Sequence, residues 1–300
     1  MLIGNFGGHT AGRTIDDLVA DARAAEQDGF STYALSQTFG FDTMGVLAIV
    51  AREVPRIDLA TGVVPTYGRH PVTMAQQALT VQAASGGRFT LGIGLSHQIV
   101  IEGMFGLSFD KPLRHMREYL AALMPLLADG KAEVDGETIS THAAIDIPDR
   151  TQPSVLVAAL GPKMLELAGR VTDGTVTWMT GPATLASHVV PIITAAAERA
   201  GRPAPRVVAS LPICVTNDAD TVRERAAKDF QVYGFLPSYR AMLDREGAAG
   251  PADVAMVGDE ATVTKELGRL ADAGTTEFVA SIIGNRDERA ETRALLKSMI

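Results

Sequence analysis

At 300 residues the chain is long enough to bury one large core, and 46 % hydrophobic with 21 % charged residues is ordinary for a globular protein. A net charge of −8 without any dense Lys/Arg cluster argues against nucleic acid or an anionic membrane as main partner. The single cysteine, Cys214, excludes an internal disulfide and a multi-thiolate metal site. No signal pattern opens the sequence and no run approaches the roughly 18 apolar residues of a membrane span. The expectation is one cytoplasmic domain over residues 1–300, acting on a small molecule.

Short β-branched runs alternate with longer amphipathic stretches. Leu2–Phe6 reads as a strand, and Thr14-Ile-Asp-Asp17 opens a helix that Gly29 stops. Thr32–Ser36, Leu59–Val64 and Phe89–Gly94 read as the next strands, with helices over Asp42–Val54 and His70–Ala84 between them. A long loop, Leu95–Lys111, leads to a helix at Pro112–Ala128 and then to a small hairpin, Ala132–Asp135 with Thr138–Ile147. The alternation resumes with strand Val155–Ala159, helix Pro162–Val171, strand Thr175–Trp178 and helix Pro182–Ala200. Strand Val207–Val215 and helix Asp218–Tyr233 follow, then a Gly- and Pro-rich extra segment, Phe235–Gly258. Helix Glu260–Ala273, strand Glu277–Ile283 and helix Arg286–Met299 complete the chain.

Eight strands alternating with helices imply a parallel α/β sheet closed as a (β/α)8 TIM barrel, with insertions after the fourth and seventh strands. An open doubly wound sheet is the alternative. Chemistry in such barrels sits at the C-terminal strand ends. There the sequence offers small, apolar and amide groups: Asn5-Phe6-Gly7-Gly8-His9, Ser36-Gln37-Thr38, Val63-Val64-Pro65, Gly94-Leu95-Ser96-His97, Ala159-Leu160-Gly161-Pro162 and Trp178-Met179. No paired carboxylates, metal-ligand spacing, Gly-x-Ser-x-Gly elbow or Walker loop is present. Such a lining suits a bound cofactor that carries the reaction itself.

Several segments, in order and spacing, resemble the luciferase-like monooxygenase superfamily and especially its coenzyme F420-dependent branch. They are Gly29-Phe30-Ser31-Thr32-Tyr33, Thr61-Gly62-Val63-Val64-Pro65-Thr66, His70-Pro71, Ser85-Gly86-Gly87-Arg88-Phe89-Thr90-Leu91-Gly92-Ile93-Gly94 and Ala158-Ala159-Leu160-Gly161-Pro162. The resemblance implies a cofactor ring propped on a bulge, often with a non-prolyl cis peptide, around Gly62-Val63-Val64. It also implies phosphate contacts from the Gly94-Leu95-Ser96-His97 and Ala159–Pro162 turns, where glycines and a helix N-terminus admit an anion. Trp178 and Met179 would wall the pocket, and Gln37 would meet the ring's polar edge.

Relatives that oxidise alcohols place an Asp-His pair after the second strand, whereas this chain has Gln37 and Thr38 there. Neither is a base at neutral pH, which favours reduction of an activated C=C or C=N bond over alcohol oxidation. His97 is the best candidate proton donor, with His9 and His70 behind it. FMN with oxygen, in a monooxygenase, is the competing reading, and a flavin-binding barrel without turnover is a third. Arg69, Lys111, Arg114 and Lys163 lean towards F420, whose glutamyl tail adds negative charge. A homodimer through helices two and three is implied, with Met74, Ala75, Ala78, Leu79 and Gln82 on faces that suit either a partner or the core.

Overall fold

The structure, a computed structural model, describes residues 1–300. The β-branched runs pair as parallel strands because each is buried on both faces, Val155, Leu156 and Val157 being typical. In chain order the strands are β1 (Leu2–His9), β2 (Thr32–Ser36), β3 (Asp58–Thr61), β4 (Phe89–Gly94), β5 (Ser154–Val157), β6 (Gly174–Trp178), β7 (Arg206–Ser210) and β8 (Glu277–Ile282). They hydrogen-bond in that order, and β8 pairs back with β1, Leu2 against Glu277 through Asn5 against Ala280. This is the (β/α)8 barrel that the alternation implies.

The helices are α1 (Ile15–Asp28), α2 (Thr43–Glu53), α3 (Pro71–Ser85), α4 (Gln98–Gly103), α5 (Pro112–Ala128) and α6 (Pro162–Val171). Then come α7 (Val190–Arg199), α8 (Ala219–Asp229), α9 (Pro237–Glu246), α10 (Glu260–Asp272) and α11 (Arg286–Ser298). Local chemistry sets their limits. Thr14 and Asp17 exchange bonds at the head of α1, Asp17 Oδ2 accepting from Thr14 N at 2.9 Å and Thr14 Oγ1 accepting from Asp17 N at 3.1 Å. Pro71 sits in the first turn of α3, and Gly86 ends it at φ +65°.

Contacts divide the chain into two compact units. One comprises Met1–Gly8, Ala24–Ala34 and Ala159–Ile300, the other His9–Arg23 and Leu35–Ala158. In the first, Glu277 lies buried at the start of β8, accepting from Thr32 Oγ1 at 2.5 Å and from Arg206 Nη2 at 3.0 Å. In the second, α2 and α3 pack together, and the hairpin of Lys131–Val134 and Thr141–Ala144 extends from α5.

Several elements depart from the sequence reading. The third strand does not run through to Val64: it stops at Thr61, a cis peptide joins Gly62 to Val63, and pairing with β4 resumes at Val64–Pro65. Thr61 Oγ1 bridges the break, accepting from Gly92 N and donating to Gly92 O, both at 2.8 Å. The seventh strand breaks at Leu211. Above the break Pro212–Val215 pairs with β8 and with a strand of the insertion, Met256–Gly258. The loop 95–111 contains α4, and the Gly/Pro-rich segment after 235 contains α9. The helix from Pro182 passes through a π-turn, Leu185–Val189, and α8 stops at Asp229 before a 3-10 turn, Gln231–Gly234. Met74, Ala75, Ala78, Leu79 and Gln82 are all buried within the chain itself, so they are core.

Candidate active site

The second unit brings together the ends of β2, β3 and β4. Gln37 N donates to Val63 O at 3.2 Å, tying the end of β2 to the bulge after β3. The Gln37 side chain makes three internal bonds: Oε1 accepts from Thr43 N at 2.9 Å and from Arg69 Nη2 at 3.3 Å, while Nε2 donates to Thr38 O at 2.9 Å. Thr38 itself is exposed. Gly62 and Val63 are half-buried and Val64 is buried. A Cβ on Gly94 would lie 2.9 Å from Val63 Cγ2 and 3.3 Å from Ala158 Cβ, so only glycine lets these strand ends close.

Leu95, Ser96 and His97 follow, all half-buried, with Ser96 held in the left-handed region at φ +61°. His97 precedes α4 without capping it through its ring, and burial lowers its imidazole pKa. Beyond it the loops after β2 and β4 meet edge to face, the Phe39 and Phe105 centroids 6.4 Å apart.

The sequence reading passed over a buried set beside these ends. His115 of α5 stacks on Tyr67 at 4.0 Å and 7°, and its Nε2 lies 3.0 Å from Thr66 Oγ1. Phe109 stacks on Tyr67 from the loop before α5 at 5.4 Å. Burial lowers the His115 pKa to about 4, with Glu118 opposing weakly, so the ring is neutral at pH 7. The signal was the spacing His115-x-x-x-Tyr119 on an amphipathic helix, which core packing shares. Of the other histidines, His70 caps α3, its Nδ1 accepting from Val72 N at 3.3 Å, and His9 is exposed at the end of β1.

In the first unit, Ala159 is buried and Leu160 half-buried, and Leu160 O accepts from His188 Nε2 of the π-turn at 2.8 Å. Gly161 and Pro162 open α6 with no side-chain cap, and a Cβ on Gly161 would meet nothing within 4 Å. At the end of β6, Trp178 is half-buried, while Met179 is fully buried at φ +52°. Strained residues of this kind cluster at functional sites.

The four basic side chains differ in availability. Lys111 and Arg114 both pair with Glu137 of the hairpin, and Arg69 pairs with Asp42 at 3.4 Å. Lys163, in the first turn of α6, is exposed and makes no ion pair.

A family model described as luciferase-like monooxygenase matches residues 1–294. The chain belongs to this family. Among its relatives is a 5,10-methylenetetrahydromethanopterin reductase of Methanolobus tindarius, 30% identical over 271 residues that span 89% of this chain and 82% of that protein. Two solved structures share the fold. The coenzyme F420-dependent tetrahydromethanopterin reductase of Methanopyrus kandleri superposes with TM-score 0.83 at 22% identity, over 100% of this chain and 99% of that one. The oxygenating constituent of 3,6-diketocamphane monooxygenase from Pseudomonas putida, in complex with FMN, gives 0.76 at 16% identity, over 99% and 96%. The fold is thus shared by a reductase and a monooxygenase with different cofactors, and the luciferase-like resemblance read from the sequence holds.

Proposed function

We propose that the chain is a single-domain, cytoplasmic F420-dependent oxidoreductase that reduces an activated C=C or C=N bond of a small organic substrate. The end of β2 carries this reading. Gln37 and Thr38 offer no base there, and the Gln37 amide is already committed to Thr43, Arg69 and Thr38. Alcohol oxidation needs a proton acceptor beside the reacting carbon, whereas reduction needs only a source of one proton. The relative from Methanolobus tindarius, by its name a reductase, points the same way.

Bound F420 in its reduced form supplies the hydride and its electron pair. In the second unit, Gly62, Val63 and Val64 are proposed to support the ring, with Gly94, Leu95, Ser96 and His97 beside it. In the first, Ala159, Leu160, Gly161 and Pro162 are proposed to take the phosphate, because the N-terminus of α6 carries no side-chain cap and Gly161 faces open space. Trp178 and Met179 wall the pocket. Gln37 braces the loop after β2 rather than the ring, given its three internal bonds. His97, kept neutral at pH 7 by burial, relays a proton from solvent to the substrate atom that does not receive hydride. A homodimer would use surfaces other than the buried face of α3.

An FMN-dependent monooxygenase is the second reading. It is favoured by the engagement of Lys111 and Arg114 with Glu137, which withdraws two cations from an anionic tail. Titration of apo-protein with F420 and, separately, FMN, followed by quenching of cofactor fluorescence, discriminates the two. Micromolar F420 binding with much weaker FMN binding supports the reductase, and the reverse preference supports the monooxygenase. Binding of neither sinks both.

A further inference from the structure

Aromatic residues are only 5% of this chain, with 1 Trp, 5 Tyr and 10 Phe. Several gather in one place in the first unit. Trp178 lies 6.1 Å from Phe6, 5.7 Å from Phe230 and 6.0 Å from Tyr233, the last two edge to face. Tyr233 in turn meets Tyr239 at 4.9 Å, also edge to face. In a core these rings would be fully covered. Here Phe6, Trp178, Phe230 and Tyr233 each keep part of their surface uncovered, while neighbouring Met179, Ala209 and Leu211 are buried.

The placement is equally specific. Trp178 ends β6, at the strand end where barrels of this kind perform chemistry. Phe230 and Tyr233 come from the segment following α8, whose 3-10 turn also exposes Val232. The Arg240 guanidinium is taken up by Asp244 and the carbonyls of Ala248 and Ala249, and Arg223 donates to Val257 O at 2.6 Å. Burial holds the Tyr233 phenol above its usual pKa, so it stays a hydrogen-bond donor. Part-covered ring faces beside the Tyr233 hydroxyl, with Arg223 and Arg240 engaged elsewhere, match a flat, neutral π-system bearing a carbonyl or imine.

We infer that Phe6, Trp178, Phe230 and Tyr233 form the substrate-selecting surface and that the acceptor is a planar, uncharged, aryl-conjugated molecule. This inference rests on the hydride-transfer reading above and narrows it to a substrate class.

Trp178 is the only tryptophan, so its emission reports on this surface directly. The probes are trans-4-phenyl-3-buten-2-one, trans-cinnamate (a similar shape with a carboxylate) and 3-penten-2-one (the enone without the ring). Quenching of Trp178, corrected for probe absorption, is expected at lowest concentration with the phenyl enone, by about tenfold over each of the other two. Phe230→Leu and Tyr233→Leu are expected to weaken the phenyl enone roughly three- to tenfold, the range for loss of one aromatic contact, and to leave F420 affinity unchanged. Equal quenching by all three probes, preference for cinnamate, or no quenching at all overturns the inference. So does unchanged affinity in Phe230→Leu, which keeps an apolar side chain and removes the ring. If F420 binds and the phenyl enone does not, the surface has been misassigned while the cofactor reading stands. If the enone binds selectively and F420 does not, the cofactor reading falls and the surface stands.

Discussion

His115 gives the chain a pH signature of its own. Its ring titrates near pH 6.5 when the chain is unfolded and at about 4 in the fold, because burial penalises the cation. Between those values the unfolded state binds more protons, so stability is full above pH 6.5 and falls as pH drops towards 4. Melting temperature measured across that window is expected to decline, and His115→Gln, which keeps a polar partner for Thr66, should flatten the decline. Gly94→Ala makes a second prediction at this scale. Its methyl would press on Val63 and Ala158, an overpacking cost of about 1–3 kcal/mol, so thermal melts should drop and F420 titration should show weaker binding. That Gly94 matters was legible, because glycine at a strand end carries a backbone meaning, but it was read as admitting an anion and its closeness to Val63 and Ala158 emerges only from the fold. The setting of His115 was not, since a histidine among Met116, Tyr119 and Leu120 reads as ordinary helix packing.

Most element boundaries could be read from caps: Pro112 and Pro162 open helices where the sequence places them, and Phe89–Gly94 is a strand as read. The insertion after β7 shows why punctuation misleads. Pro237 and Gly247 look like loop residues, yet they are the first-turn proline and the left-handed cap, φ +76°, of α9. This helix is anchored by its last residue. Glu246 accepts from Ala183 N at 3.0 Å and Thr184 N at 2.7 Å, satisfying amides at the head of the helix after β6. Glu246→Ala is expected to cost about 1 kcal/mol and to speed proteolytic cleavage between 235 and 250, with Glu246→Gln in between. Equal cleavage rates in all three proteins would show that α9 is held by other contacts. The break at Leu211 left no trace in hydrophobic periodicity, because every residue from Val207 to Val215 is buried and no alternation marks the interruption.

For the whole molecule, alternation of strand and helix was enough to give a closed parallel barrel, and a net charge of −8 bounds what it attracts. Charge also yields the prediction that best separates the two cofactors. Glu137 holds both Lys111 and Arg114. Glu137→Gln should free them and tighten F420 about two- to fivefold at low salt, an effect that 0.5 M NaCl abolishes, while FMN affinity stays level. Identical responses of the two cofactors would place the tail elsewhere. The divided seventh strand has a longer-range consequence. Arg206–Ser210 pairs with β6 and β8 and so completes the ring, whereas Pro212–Val215 lends its edge to Met256–Gly258. One stave therefore serves two masters: its lower half closes the ring, while its upper half holds β8 on one side and a local annex on the other. Because Arg206–Ser210 alone ties β6 to β8, an annex with its own hydrogen-bonded footing can change length without reopening the ring beneath it.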